Sequence, residues 1–378
     1  MRKAEFSFIQ QGIAQSSFQP FNLILAKVDS SGGSGLRISA TFHMNYIFGP
    51  VNSRRLGRSL GIDLFREKIC SLNCIYCEVG ATTLLTCERA EYAPTAAVMA
   101  EIDAFFADQE RAAAVDFVTV TASGEPTLHS GLGEILAHLK QRTAQPVAVL
   151  TNGTLLWDAQ VRRELAAADV VIPSLDSALP AGFRRIDRPA KCLDLAEIIE
   201  GLTVFSHEFH GQIWLEILLA QGINDTDEEV AALCAAAARM RLDRIQLNTV
   251  IRPPLEPFAR PLPQARMEAV AAEFLRRDPS RPVDMLSGGA AQEENGPAGR
   301  KQFDLSRAAD RLALQDEIVE MLKRRPCTAA DINRVFPAGG ADRVEQLLDA
   351  LVRDALLHKR THNGRLYYQT GPDEAHSE

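Results

Sequence analysis

Two patterns along the chain predict an α/β fold. Six short β-branched apolar runs alternate with longer amphipathic stretches between residues 59 and 278. A second block of helical periodicity, closed by a hairpin signal, follows a stretch rich in Gly and Pro. Together they predict a partial (β/α)6 TIM-like barrel over residues 44–278 and a small C-terminal winged-helix domain over 306–371.

The strand candidates are SLGIDL (59–64), DFVTVT (116–121), PVAVLT (146–151), DVVIPSL (169–175), IWLEILL (213–219) and RIQLNTV (244–250). Their near-continuous apolar character fits strands buried on both faces of a parallel sheet. Between and after them, residues 96–113, 131–142, 159–168, 193–205, 227–240 and 263–277 show apolar residues at i, i+3 and i+4, the spacing of a helix with one buried face. Such folds carry their chemistry on the loops that follow the strand C-termini.

Residues 1–43 include QSSFQPF and DSSGGSG and lack sustained periodicity. They read as a poorly ordered extension, with Met44 as the alternative true start. Residues 279–305 read as a linker. Within 306–371, helical patterns cover 310–325, 327–336 and 341–357. HKRTHNGRLYYQT (358–370) reads as two strands around an Asn-Gly turn. Residues 372–378 form a tail.

With 46% hydrophobic and 24% charged residues among 378, the chain can bury an ordinary core. A net charge of −8 argues against a protein that binds polyanions over its whole surface. No apolar run has the length of a membrane span, so no membrane partner is expected and the cytoplasm is the default compartment. Seven cysteines in such a chain point to metal or catalysis rather than to a disulfide framework.

Three of them, Cys70, Cys74 and Cys77, lie in ICSLNCIYCEVG, spaced C-x3-C-x2-C directly after the first strand. Thiolates are soft ligands that suit iron–sulfur clusters and zinc. Three protein ligands on a four-iron cluster leave one iron open. Zinc would instead want a fourth ligand, for which Cys87 is the nearest candidate, though it lacks a C-x2-C partner. A thioredoxin-like dithiol at 74–77 would want a helix, whereas Glu-Val-Gly-Ala follows. Cys192, Cys234 and Cys327 are isolated, and Cys234 suits a small core position.

The cysteine spacing, with Tyr76 before the last cysteine, resembles that of the radical S-adenosylmethionine (SAM) enzymes over about residues 45–260. FGPVNSRRLGRSLGIDL, SGEPTLH, TNGTLL and QLNTVIRPP further resemble a group of iron–sulfur oxidoreductases related to the wyosine-forming tRNA enzymes. The resemblance does not imply a substrate. It implies a [4Fe–4S] cluster on Cys70, Cys74 and Cys77, with SAM on the open iron and Tyr76 beside the cofactor. One electron, from a donor such as flavodoxin or ferredoxin, would cleave SAM to a 5′-deoxyadenosyl radical that takes hydrogen from a substrate. Wyosine-forming relatives can carry further cysteines upstream of this loop; none precedes Cys70 here, which weighs against a wyosine-type assignment.

Other residues gain roles from that context. Ser123, Gly124 and Glu125 resemble the family's Gly-Gly-Glu motif, with Ser in place of the first Gly. Gly124 would admit backbone close to the SAM amine, and Glu125 would accept from it; the plainer alternative is a strand-to-helix turn. Asn152 is placed near SAM or substrate, or is a turn former. Ser174 and Asp176 are placed near the SAM ribose, or cap the next helix. Glu216, mid-strand, needs a partner or a ligand. Arg54, Arg55, Arg184, Arg185, Arg188 and Arg252 are candidates for binding an anionic substrate, because guanidinium forks match carboxylate and phosphate. Solvated surface arginines are the plainer alternative.

Residues 306–371 hold eleven Lys and Arg against nine Asp and Glu. The presumed recognition helix is acidic, which disfavours groove reading, whereas Lys359, Arg360 and Arg365 make the wing basic. An RNA substrate stays open. The leading expectation is a radical SAM enzyme. The alternative, from another class, is an iron–sulfur or zinc sensor acting through the winged helix.

Overall fold

β1 (Ile47–Ser53) runs antiparallel onto β2 (Gly57–Ile62) and opens the main sheet of the computed structural model. The structure describes residues 44–53, 55–121, 123–286, 307–336 and 338–370. Residues 1–43, most of the expected linker, the tail and Arg54 lie outside the described residues. Two-residue strands β3 (Ile69–Cys70) and β4 (Leu84–Leu85) pair in parallel, and helices α1 (Thr95–Phe106) and α2 (Gln109–Ala113) follow. The expected single helix over 96–113 is thus two, because the Asp108 carboxylate accepts from Glu110 N and Arg111 N, both at 3.1 Å, and starts a new N-terminus.

The alternation continues through β5 (Phe117–Val120), α3 (Leu132–Arg142), β6 (Val147–Thr151), α4 (Ala159–Leu165), β7 (Val170–Pro173) and α5 (Pro180–Ile186). Then come α6 (Leu195–Glu208), β8 (Gln212–Leu219), α7 (Asp227–Ala237), β9 (Arg244–Thr249), α8 (Gln264–Arg277) and β10 (Val283–Met285). The sheet order is β1-β2-β5-β6-β7-β8-β9-β10, and every pairing from β2 onward is parallel. This parallel α/β sheet is the partial TIM-like barrel, with its strand C-termini at one end.

Alternation along β8 separates the two faces of the sheet. Ile213, Leu215, Ile217 and Leu219 are buried, while Trp214, Glu216 and Leu218 are half-buried. The half-buried set shares a face with Ala148, Val170 and Ile172, which cluster with Leu56 and Trp214. Alternation puts the fully buried set on the opposite, helix-covered face. Besides the two-residue β3 and β4, three elements were not expected. β1 was hidden by its Gly-Pro interruption, β10 lies within the stretch read as linker, and α5 is too short to show a period.

The C-terminal elements are α9 (Ala308–Arg324), α10 (Ala329–Val335), α11 (Ala341–Arg353), β11 (His358–His362) and β12 (Arg365–Gln369). Val344, Leu347, Leu348 and Leu351 form the buried stripe of α11. The hairpin turns through Asn363 at φ 48° and Gly364 at φ 71°, the positive-φ pair that an Asn-Gly turn supplies. These helices are not a separate core. Leu314, Ile318, Leu348 and Tyr368 cluster with Val51 of β1, and Phe48 packs against the same group. Each such buried side chain contributes about 1.5–3 kcal/mol.

Candidate active site

Cys70 ends β3, and Cys74 and Cys77 follow on the loop it begins. The loop is closed on itself: Thr83 N donates to Lys68 O at 2.9 Å, and the Lys68 ammonium donates to Gly80 O. It is also stitched to the segment after α5, through Ile75 N to Ile186 O (2.9 Å), Asn73 N to Asp187 O (3.0 Å) and Ala190 N to Ser71 O (2.9 Å). Ile75 is fully buried among Ile186, Ala220, Val250 and Ala259. That anchor fixes the residues on either side of it, so the thiols are positioned by packing rather than by a metal alone.

Asn152, at the end of β6, reaches this loop. Its amide nitrogen donates to Ser71 Oγ at 2.9 Å and lies 3.5 Å from Cys70 Sγ. Its carbonyl oxygen accepts from Thr154 N and Thr154 Oγ1 at 3.0 and 2.8 Å, which fixes the amide's orientation. Glu125 lies behind it, 2% exposed. Its carboxylate accepts from Thr127 N (3.0 Å), Thr127 Oγ1, Thr151 Oγ1 (both 2.6 Å) and Asn152 N (2.6 Å). Burial raises the Glu125 carboxyl above its usual range, and these donors oppose the rise. In this arrangement Glu125 ties the loop after β5 to the loop after β6. Gly124 faces the cysteine strand: a Cβ there would stand 2.2 Å from Ile69 O. Ser123 donates to Asp63 Oδ2 at 2.5 Å, and Arg324 of α9 stands 3.4 Å from the same oxygen.

On the other side of the cysteine loop, Tyr76 donates its hydroxyl to Asp176. Asp176 also accepts from Leu218 N at 2.7 Å. Asp187 stands 3.5 Å from the Cys74 thiol. Burial pushes Asp176 up to about 6, and burial followed by the Asp176 charge holds Asp187 well above the carboxylate range. Two buried carboxyls so close do not both ionise readily. Ser174 lines a small crevice together with Tyr76, Asn152, Thr154 and Asp176. The structure therefore draws Cys70, Tyr76, Asn152, Ser174 and Asp176 around one end of the barrel, beside the Ser123–Glu125 loop.

Comparison with known proteins follows the same outline. The family description "Radical SAM superfamily" matches residues 68–234. A UPF0026 protein of Synechocystis is 40% identical over 208 residues, covering 55% of this chain and 76% of that one. The chain belongs to the UPF0026 proteins and to the radical SAM superfamily. A protein of Brachyspira hyodysenteriae named GTPase Obg is 33% identical over 322 residues, 85% of this chain, and the chain spans only 45% of that relative's length. A solved structure of TYW1 with a lysine–pyruvate adduct bound aligns at 17% identity with a TM-score of 0.47, over 61% of this chain and 76% of that one, a distance at which the alignment by itself decides nothing.

Members of this superfamily use a [4Fe–4S] cluster and SAM, and the chemistry of the thiols present fits the cluster. Burial, with Glu125 adding to it, pushes the Cys70 thiol up to about 12, and burial holds Cys74 well above the thiol range. Left alone these thiols keep their protons; a bound metal centre is what makes a buried thiol ionise. The Asn152 amide and Leu72 N, each 3.5 Å from Cys70 Sγ, are donors suited to a sulfur that gains charge. Among the described residues no three His, Cys, Asp or Glu side chains converge to cage a single ion.

The zinc alternative loses its fourth ligand, because Cys87 is disulfide-bonded to Cys192. This corrects two expectations, that Cys192 is isolated and that the cysteines serve metal or catalysis rather than a disulfide. The pairing is tertiary: the segment leaving the cysteine loop and the segment after α5 lie side by side, joined also by the Leu72–Pro189 bridge. A Cys87→Ser variant is expected to keep its cluster while losing roughly 2–4 kcal/mol of stability, since the bond closes a long loop. Iron content and thermal unfolding measure the two effects separately. Loss of iron in this variant would restore Cys87 as a ligand.

Four of the described candidate arginines, Arg55, Arg185, Arg188 and Arg252, have their own protein partners rather than one shared anion site, whereas Arg184 is exposed. Arg55 forms a two-pronged pair with Glu216 (2.6 and 3.2 Å) and touches Gln246 at 3.2 Å. That pairing answers what the mid-strand Glu216 needed. Arg188 pairs with Glu256 at 2.5 Å, Arg252 with Glu78 at 2.8 Å, and Arg185 donates to Gly222 O at 2.9 Å. Arg252 holds the residue directly after Cys77, and its guanidinium pKa is raised by Glu78 against the burial that lowers it. Sequence reasoning missed Asp187, Ser71 and Thr154. Thr154 had a signal, a hydroxyl two residues after Asn152; Asp187 had none, since α5 itself was unread.

Proposed function

We propose that the protein cleaves SAM reductively at a cluster held by Cys70, Cys74 and Cys77, and that hydrogen is then taken from an anionic substrate. The observation that carries this reading is the three-thiol loop, anchored by Ile75 at the strand ends and faced by Asn152. Bound there, the cluster and SAM supply one-electron cleavage of the sulfonium to methionine and a 5′-deoxyadenosyl radical. The chain's own residues do the rest. Asn152 orients toward Cys70, Glu125 stiffens the two loops, and Tyr76 with Asp176 forms a buried polar wall. Flavodoxin or ferredoxin is the donor class this chemistry calls for.

The C-terminal helices and hairpin we read as a winged helix that buttresses the site. Asn363 donates to Val250 O at 3.4 Å and Tyr367 to Ile251 O at 3.2 Å, next to Arg252. Asp349 of α11 is occupied within the domain, accepting from Tyr368 at 3.1 Å and pairing with Lys359 at 2.9 Å. These contacts favour a supporting role over DNA reading. The test is electron paramagnetic resonance of the anaerobically reconstituted, dithionite-reduced protein. A cluster signal that changes on adding SAM is expected; one indifferent to SAM would remove this reading in favour of an iron–sulfur sensor.

A further inference from the structure

A cavity of about 550 Å³ opens beside the cysteine loop, between α5, the segment after it and the start of α6. Its volume lies within the range of small-molecule sites, about 300–1,000 Å³. Phe183, Leu193 and Leu195 line it, together with the charged side chains Arg184, Arg188 and Lys191. The wall is built rather than incidental. It is fastened by Ala190 N to Ser71 O, by the Leu72–Pro189 bridge and, through Cys192, by the disulfide to Cys87. Arg188 is held there at φ 44°, a left-handed conformation that a side-chain-bearing residue adopts at a cost.

The charges select the ligand. Arg188 is committed to Glu256. The cavity's carboxylate, Asp194, caps α6 by accepting from Ala196 N at 2.8 Å and Glu197 N at 3.1 Å. Arg184 and Lys191 are exposed and have no ion-pair partner among the described residues. Two cations over an apolar wall suit a ligand with two negative charges at one end and an apolar body at the other. A phosphomonoester carries about −1.5 to −2 at neutral pH, whereas a carboxylate carries one.

We infer that this cavity binds a small phosphomonoester with an apolar or aromatic body. The inference rests on the proposal that the substrate is anionic, and it does not depend on SAM cleavage. The probes are phenyl phosphate, benzoate and phenol, titrated calorimetrically into the cluster-loaded full-length protein without reductant. Phenyl phosphate is expected to bind at least about tenfold more tightly than benzoate, and phenol not at all. Arg184→Ala and Lys191→Ala should each weaken it by about tenfold, the scale of one charge-assisted hydrogen bond. Both side chains are exposed, so the variants are expected to fold, which circular dichroism checks. Equal binding of benzoate, an affinity unmoved in the double variant, or no binding of phenyl phosphate at millimolar concentration each overturns the inference. Selective binding without SAM cleavage would leave it standing and remove the radical reading instead.

Discussion

Cys74→Ala is expected to yield a colourless protein that releases no 5′-deoxyadenosine. The thiol stands in the middle of the loop, next to Ile75, which is buried among Ile186, Ala220 and Val250. No other cysteine offers a replacement: Cys87 is tied to Cys192, while Cys234 and Cys327 are buried elsewhere. Two thiolates then remain for a centre that needs three. The fold itself should survive. The Cys74 thiol stands 3.5 Å from Asp187 Oδ1, and losing that contact is expected to cost about 1 kcal/mol, the centre of the range for single substitutions. Iron analysis, the visible spectrum and thermal unfolding separate loss of the site from loss of the fold. A brown, active Cys74→Ala protein would remove the assignment of the three cysteines.

Gly124→Ala is expected to be nearly as damaging, through geometry rather than ligation. The added Cβ would stand 2.2 Å from Ile69 O and 3.0 Å from a Phe65 ring carbon. The carbonyl cannot simply swing away, because it accepts from Glu125 N at 3.0 Å and belongs to the strand that ends in Cys70. Either the Ser123–Glu125 loop lifts off or the cysteine strand moves. Overpacking of this kind costs about 1–3 kcal/mol, and here the displaced strand ends in Cys70, a proposed cluster ligand. Iron per chain should therefore fall together with the unfolding temperature. Full iron loading and an unchanged unfolding temperature would show that the close approach has no role in placing Cys70.

The six apolar runs were legible because strands covered on both faces lose their polar alternation. β2 and β5 through β9 stand where those runs stand. β1 was illegible because Gly49 and Pro50 interrupt its pattern, and its register indeed shifts between Phe48 and Val51. It matters all the same, since Val51 joins the barrel to the C-terminal helices. The cysteine loop was legible because its chemistry is local in sequence. The pairings that surround it were not. Arg55 meets Glu216 across 161 residues, and Cys87 meets Cys192 across 105. Periodicity reports which face of an element is buried but not which distant side chain completes a buried charge. Asp187 is the plainest case: it stands beside Cys74 only because the short α5 ends there, and seven residues starting with proline do not reveal a helix in sequence.

The central claim is that three thiolates hold a cluster with one position left for SAM. Its most direct measurement is quantitation of 5′-deoxyadenosine after anaerobic reconstitution with iron and sulfide, followed by dithionite and SAM. The expected result is 5′-deoxyadenosine and methionine in equal amounts from the parent protein and none from Cys74→Ala. A fully iron-loaded parent protein that leaves SAM intact under the same conditions would contradict the claim.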